Sequence, residues 1–408
     1  MRVVIVGAGA RGLFLAGHLA QAGVDAVVVE HSDITGKKIL ITGKGRCNVT
    51  NDCDENEFLK NIHTNPKFLY SAIYMFNPSD TMAFFENLGV PLKTERGRRV
   101  FPVSDRARDI KAALDRHRSG AKIIKGDVKK ILYRDDTATG VKLADGRVIN
   151  ADRVVIATGG LSYSGTGSTG DGYRFAEDAG HNIIPTQASL VPLVAKGDEC
   201  RQMMGLSLRN VKLTLNHKGK KLYSEQGEML FTHFGLSGPL VLSASCYIDE
   251  KQSGYFVSID LKPALDEGTL YKRVCRDFDA MGGRKAANCL EKLLPKSMAP
   301  IVLKRWGIDL DMSINQINST QRRELVRLLK NFVIDIDRKY KIDIAVITAG
   351  GVDTKEIKPA TMESKIKNRL YFVGEVLDVD GYTGGYNLQI AFCTAYARAK
   401  DLIKKSRG

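Results

Sequence analysis

Two acids beside glycine turns mark one end of this chain. Gly374-Glu-Val-Leu-Asp378 supplies Glu375 and Asp378, and Gly384-Gly385 follows shortly after. Carboxylates accept hydrogen bonds from hydroxyls. From Tyr386 the apolar spacing becomes helical, through Leu388, Ile390, Ala391 and Ala395. A helix start offers free N–H groups and partial positive charge, which suits an anionic group. A ligand with sugar hydroxyls and an electron-rich ring that can turn anionic uses all of these features. Reduced flavin is such a ligand, and the redox step would be its chemistry.

The N-terminus carries the matching half. Gly7-Ala-Gly-Ala-Arg-Gly12 fits G-x-G-x-x-G and follows the apolar run Val3–Val6. Leu13 to Ala22 has helical periodicity, and a second apolar run, Ala26 to Val29, ends in Glu30, eighteen residues after Gly12. Glycines let the backbone turn tightly and approach a pyrophosphate. The helix end takes the phosphate charge, and the acid takes ribose hydroxyls. The fingerprint alone leaves FAD and NAD both open. Next comes a polar, glycine-rich loop from Gly36 to Asn51. There Lys37, Lys38 and Arg46 can meet a pyrophosphate, and Asn48 can meet the ring or ribityl chain.

The positioning elements read as follows. Helices are expected over 58–62, 66–75, 79–88 (capped by Ser79) and 104–118. A small meander is expected over 121–150, with Asp145-Gly146 as a hairpin turn. Arg153–Ala157 is a buried strand closing on Thr158-Gly-Gly160. A second G-x-G-x-x-G, Gly165 to Gly170, has no apolar strand running into it, so a second dinucleotide unit is not expected there. Short β-like runs over 190–262 and helical patterns over 263–342 then interrupt the α/β pattern, which resumes from 343 to 408. The expectation is one α/β domain built from 1–189 and 343–408, split by a β-rich insert and a helical insert.

At 408 residues, with 43% hydrophobic and 26% charged residues, the chain is in the range of multi-domain globular proteins. No stretch approaches the roughly 20 apolar residues of a membrane span, and the glycine-interrupted start lacks the basic segment of a signal peptide. Seven cysteines without C-x-x-C imply a reduced, cytoplasmic protein. The net charge of +15 suits an anionic cofactor, an anionic substrate or RNA. No aromatic-interleaved RNA-recognition motif is present, so nucleic acid is not the expected partner.

The sequence resembles the bacterial aminoacetone-oxidase-family, or BaiN-like, FAD-dependent oxidoreductases. The resemblance rests on the Gly7–Gly12 turn, Gly43-Lys-Gly-Arg-Cys-Asn-Val-Thr-Asn51, Ala157-Thr-Gly-Gly160, Gly167-Ser-Thr-Gly-Asp-Gly172, Leu230-Phe-Thr-His233, Thr348-Ala-Gly-Gly-Val352 and Gly374–Gln389, in order over nearly the whole chain. It implies a glutathione-reductase-type Rossmann FAD domain, split by a β-barrel-like insert and a helical subdomain, with non-covalent FAD. Arg11 stands where the family usually has alanine.

The candidate cofactor contacts are Gly7, Gly9, Ala10, Arg11, Gly12, Glu30, Lys38, Thr42, Gly43, Arg46, Cys47, Asn48, Val128, Ala157, Thr158, Gly159, Gly160, Gly374, Glu375, Asp378, Gly385, Tyr386 and Asn387. His233, Tyr382 and Tyr386 are the candidates for proton transfer. Cys47 and Cys53 are spaced C-x5-C, unlike the C-x4-C of dithiol flavoenzymes. The leading reading is an FAD-dependent oxidoreductase acting on a small metabolite. It would pass electrons to O2, or reduce a conjugated ketone with NAD(P)H as a transient donor. An RNA-directed flavoprotein, and a flavin binder without turnover, are the alternatives.

Overall fold

The computed structural model describes residues 1–407, which fall into two compact units. One joins Met1–Ser189 with the segment from Ile342, and the other is Leu190–Lys341.

The first unit is organised on a five-stranded parallel sheet. Its order is Leu370–Phe372, Arg153–Ile156, Arg2–Val6, Asp25–Glu30, Lys122–Lys125. The central strands are continuous apolar runs because both faces of a parallel sheet are covered, here by helix Ala10–Gln21 against Arg2–Val6 and Asp25–Glu30 and by the strand Thr137–Leu143 against Arg153–Ile156. Val3, Val4, Ile5, Val28, Val154 and Val155 are fully buried. Each such side chain contributes roughly 1.5–3 kcal/mol relative to exposure. Helices Ala10–Gln21 and Tyr386–Arg407 meet through Phe14 and Phe392, whose rings are 5.2 Å apart. The meander is present as Val128–Arg134, Thr137–Leu143 and Val148–Asn150. Strand Ile183–Ser189 pairs antiparallel with Ile347–Val352.

Two local details differ from the sequence reading. Helix Pro78–Asn87 is capped by Asn77 rather than Ser79: Asn77 and Asp80 form a capping box with both bonds at 2.9 Å. Proline prefers the first helical position, which sets the cap at Asn77, two residues before Ser79. Within the loop after Glu30, Lys37–Ile41 forms a short helix.

The second unit is a closed six-stranded antiparallel barrel with helices. Its strands run in the order Leu193–Ala195, Gly235–Ser237, Lys220–Thr232, Ser207–His217, Tyr255–Asp260, Phe332–Lys339, and the last pairs back onto the first. The interior takes alternate residues, such as Tyr255, Val257 and Ile259. Phe332–Lys339 comes from within the stretch expected to be helical. Ring closure demands a partner for the exposed edges of the first and fifth strands. Helices Glu267–Asp279, Ala299–Trp306 and Ser319–Lys330 lie between the fifth and sixth strands in the chain.

Candidate cofactor site

A cavity in the first unit opens where its two central strands end. Strand Arg2–Val6 runs into the glycine turn, and helix Ala10–Gln21 starts with Gly9 as its cap and no side-chain cap bond. Its first N–H groups are therefore free for a ligand. Gly7 has φ +104°, and a Cβ there would lie 2.6 Å from the Ala157 carbonyl oxygen. A Cβ on Gly12 would lie 2.0 Å from the Gly7 oxygen. Both glycines permit backbone contact. Gly9 differs, because a Cβ there would meet nothing within 4 Å. That open side lines the cavity.

At one end, Glu30 closes the second strand. Its Oε2 accepts from the Ala8 N–H at 2.7 Å and its Oε1 from the Ser32 N–H at 2.8 Å. Each carboxylate oxygen keeps a lone pair for a ribose hydroxyl.

Deeper in, Glu375 sits between two cations. Lys38 Nζ donates to both its oxygens at 3.0 Å, and Arg11 Nη2 lies 4.0 Å away. Ser162 Oγ and the Thr348 N–H also donate to it, at 2.9 and 3.1 Å. Burial pushes the carboxyl up, but Lys38 and Arg11 outweigh it and hold it below its ordinary range. Arg11 also donates to the Ala157 oxygen at 3.3 Å. It fits only because Gly159 and Gly374 flank it: a Cβ on either would come within 2.7 Å of its side chain.

Of the expected contacts, Gly7, Gly9, Ala10, Arg11, Glu30, Lys38, Thr42, Val128, Ala157, Thr158, Glu375 and Asn387 line this cavity. Gly12 packs beneath the turn. Gly160 packs on Thr348, and Gly385 on the backbone of Thr50. Gly43, Cys47 and Asn48 lie in the loop after the short helix, outside the lining, as do Gly159 and Gly374.

Three expected contacts have other engagements. Arg46 pairs with Glu95 and Asp105 and stacks 4.1 Å over Phe101, so its charge is spent on the small sheet beside it. Asp378 is held by Asn65 Nδ2 at 2.9 Å, while its neighbour Asp380 lines the cavity. Burial, then Asp380 and Asp353, push Asp378 up to about 6. Tyr386 is buried against Phe58, with ring centroids 5.8 Å apart, and burial pushes its hydroxyl up. Tyr382 lies outside the lining, its ring 5.9 Å from His63. His233 belongs to the barrel unit, exposed in a turn with its ring 4.9 Å from Phe234. Burial pushes the thiols of Cys47 and Cys53 up to about 12, so neither supplies a thiolate at neutral pH.

The sequence reading missed several lining residues. The loop Thr166–Thr169 and Asp171, with His31, Ser32 and Thr348, line the cavity, as does Lys37, which was expected at the pyrophosphate. The available signals were the second glycine motif and Thr348-Ala-Gly-Gly351. Both lacked local secondary-structure context.

Residues 1–401 match the family described as the HI0933-like protein Rossmann domain. The chain belongs to this family. The HI0933-like chain is 33% identical over 402 residues to the ribosomal RNA dihydrouridine synthase of Escherichia coli K12, covering 98% of this chain and 97% of that one. It is 32% identical over 411 residues to the 3-dehydro-bile acid delta(4,6)-reductase of Clostridium scindens, covering 99% of each. Among solved structures, the 3-ketosteroid delta1-dehydrogenase of Sterolibacterium denitrificans superposes with a TM-score of 0.51 at 14% identity, over 99% of each chain, which is a likeness of fold. The BaiN-like kinship and the Rossmann FAD domain expected from sequence both hold, and the protein is an FAD-dependent oxidoreductase.

The cavity fits FAD. Thr158 Oγ1 lines it, buried and without a hydrogen-bond partner, which leaves a polar atom for a ligand. Asn387 ties the last helix to the preceding loop, accepting from the Gly381 N–H at 3.0 Å and donating to its carbonyl at 2.8 Å. That helix start borders the cavity through Asn387, Leu388, Ile390 and Ala391. Among the described residues, no helix is long and apolar enough to cross a membrane, and no group of three side chains is arranged to hold a metal.

Proposed function

We propose that this HI0933-like protein reduces a carbon–carbon double bond conjugated to a carbonyl, with NADH or NADPH as the electron source and a uracil ring of RNA as the acceptor. The observation that carries the redox part is the cavity itself. Two helix starts, the Glu30 carboxylate and the Arg11–Glu375–Lys38 cluster form a seat for an extended ligand bearing both phosphates and hydroxyls. FAD bound there supplies hydride transfer. In this reading Glu30 takes ribose hydroxyls, and the N–H groups following Gly9 take the pyrophosphate charge. Arg11 and Lys38 keep Glu375 ionised so that it can accept hydroxyls. The start of helix Tyr386–Arg407 favours negative charge beside it. A hydride and a proton add across the double bond, and the nicotinamide is oxidised, so the electrons balance.

Two considerations support the choice of acceptor. The names of the E. coli and C. scindens relatives imply one class of chemistry, since the uracil C5=C6 bond and an unsaturated bile-acid ketone are both double bonds conjugated to a carbonyl. The chain's net charge of +15 favours the polyanion. A steroid-like enone is the second reading, favoured by the C. scindens relative. The test supplies holoprotein and NADPH, or NADH, with unmodified ribosomal RNA transcript and, separately, with a panel of conjugated steroid ketones. The proposal expects dihydrouridine in the RNA, seen as the mass gain of two hydrogens. Reduction of the steroids alone moves the assignment to the second reading. Reduction of neither, with flavin that NAD(P)H does reduce, defeats both.

A further inference from the structure

The barrel unit carries 25 lysines and arginines against 17 acids over residues 190–341, a net +8. One feature concentrates that charge. The hairpin joining Ser207–His217 to Lys220–Thr232 ends in His217-Lys-Gly-Lys-Lys221. Lys218 has φ 48° and Gly219 φ 76°. Positive φ at both central residues is the geometry of a type I′ hairpin turn, where asparagine or glycine is favoured. Lysine there adopts the left-handed conformation against its preference, and nothing in the barrel interior uses its side chain. Lys218, Lys220 and Lys221 are exposed, and none has an ion-pair partner among the described residues.

The base of the turn is stiff. The His217 ring stacks on Tyr255 at 4.1 Å and 16°, and its Nε2 donates to the Ser253 carbonyl at 3.0 Å. The nearby Asp249 carboxylate is occupied by the Lys251 N–H and Gln252 within its own turn, each at 3.0 Å. Three ammonium groups therefore stand on a fixed scaffold with no carboxylate bonded to them. A rigid base lowers the ordering cost of a contact. Further along the strand, Arg209 and Lys212 are also exposed and continue the basic character.

We infer that the Lys218–Lys221 hairpin tip is a phosphate-contacting element for a structured RNA. This rests on the RNA reading above. Such contacts are independent of sequence and release counterions, so they appear in the salt dependence of binding.

The experiment measures binding of the full-length holoprotein to a structured RNA transcript over a series of salt concentrations. The variant is Lys218→Asn, Lys220→Gln, Lys221→Gln, in which asparagine suits the turn. A second variant is Lys220→Arg, Lys221→Arg only. We expect the triple variant to bind more weakly, with the slope of log K against log salt reduced by about three. The arginine variant should keep both affinity and slope. FAD content and melting temperature should match the parent in both. An unchanged slope in the triple variant overturns the hairpin assignment and leaves the RNA reading standing. A parent protein that shows no salt-dependent RNA binding overturns both. Loss of binding to anionic phospholipid vesicles with RNA binding intact assigns the tip to a lipid surface and also overturns the proposal.

Discussion

Two stretches of this chain read G-x-G-x-x-G, and the structure treats them differently. Gly7–Gly12 joins a buried strand to a twelve-residue helix, and its first and last glycines press on backbone atoms that cannot move aside. Gly165–Gly170 joins a single 3-10 turn, Ser164–Thr166, to helix Asp171–Asp178. There Gly165 faces open space, Gly167 faces the Ser32 hydroxyl and Gly170 faces the Leu161 side chain. Both stretches reach the same cavity. The spacing is shared, but the first motif is a rigid seat and the second is a loop laid over it. What distinguishes them is the atom that each glycine meets. Glu375 ties the two together, since it binds Arg11 of the first motif and Ser162, just before the second.

Substitutions test this contrast. Gly12→Ala puts a methyl 2.0 Å from a carbonyl oxygen. We expect it to abolish FAD retention and most soluble yield, read as the flavin-to-protein ratio after purification. A normal ratio would place the second motif on equal terms with the first. Glu375→Gln leaves Arg11 and Lys38 facing a neutral group in a buried setting. Breaking such a cluster costs about 3 kcal/mol, visible in the denaturant midpoint.

The same variant has a pH signature. The folded-state pKa of Glu375 is depressed, so its stabilisation is present above the ordinary glutamate range and is lost as pH falls through that range and below. Glu375→Gln should flatten that acidic limb, and a limb of unchanged steepness would show that other carboxylates carry it.

Glu30→Gln keeps the shape of the ribose end and removes its charge. It should weaken FAD binding by about 1.5 kcal/mol, in the range for hydrogen bonds to charged groups, and also lower apoprotein melting, because the amide NH2 leaves the Ala8 or Ser32 N–H without its acceptor. Gly165→Ala should change stability and FAD affinity by less than about 0.5 kcal/mol, because its Cβ meets nothing. A large effect there would mean that the second loop is as constrained as the first.

The same contrast explains what sequence could reveal. Strand, turn, helix, strand and acid from Val3 to Glu30 follow local rules of period and spacing, and the structure reproduces them. Glu375 and Lys38 were also legible as polar groups in glycine-rich loops. The engagement of Arg46 was not. Its partners Glu95 and Asp105 lie far along the chain, and only the folded sheet brings them together. Nor was the role of Thr166–Thr169, which depends on Lys37 Nζ donating to the Gly165 carbonyl at 2.8 Å from a distant loop. The sixth barrel strand shows the same limit. Phe332–Lys339 pairs with Leu193–Ala195, and closure of a barrel is a long-range demand that no local window contains.

The proposal joins a flavin seat to a conjugated acceptor, and a single-turnover experiment without oxygen separates these two parts. Purified protein is first reduced with one equivalent of NADPH, or NADH, until the flavin absorbance is lost. Uridine-containing RNA transcript is then added. The absorbance should return, with dihydrouridine formed in proportion to the flavin reoxidised. Flavin that bleaches, stays reduced with RNA and with every conjugated ketone, and recovers only when air is admitted would contradict the reductase reading and make the protein an oxidase.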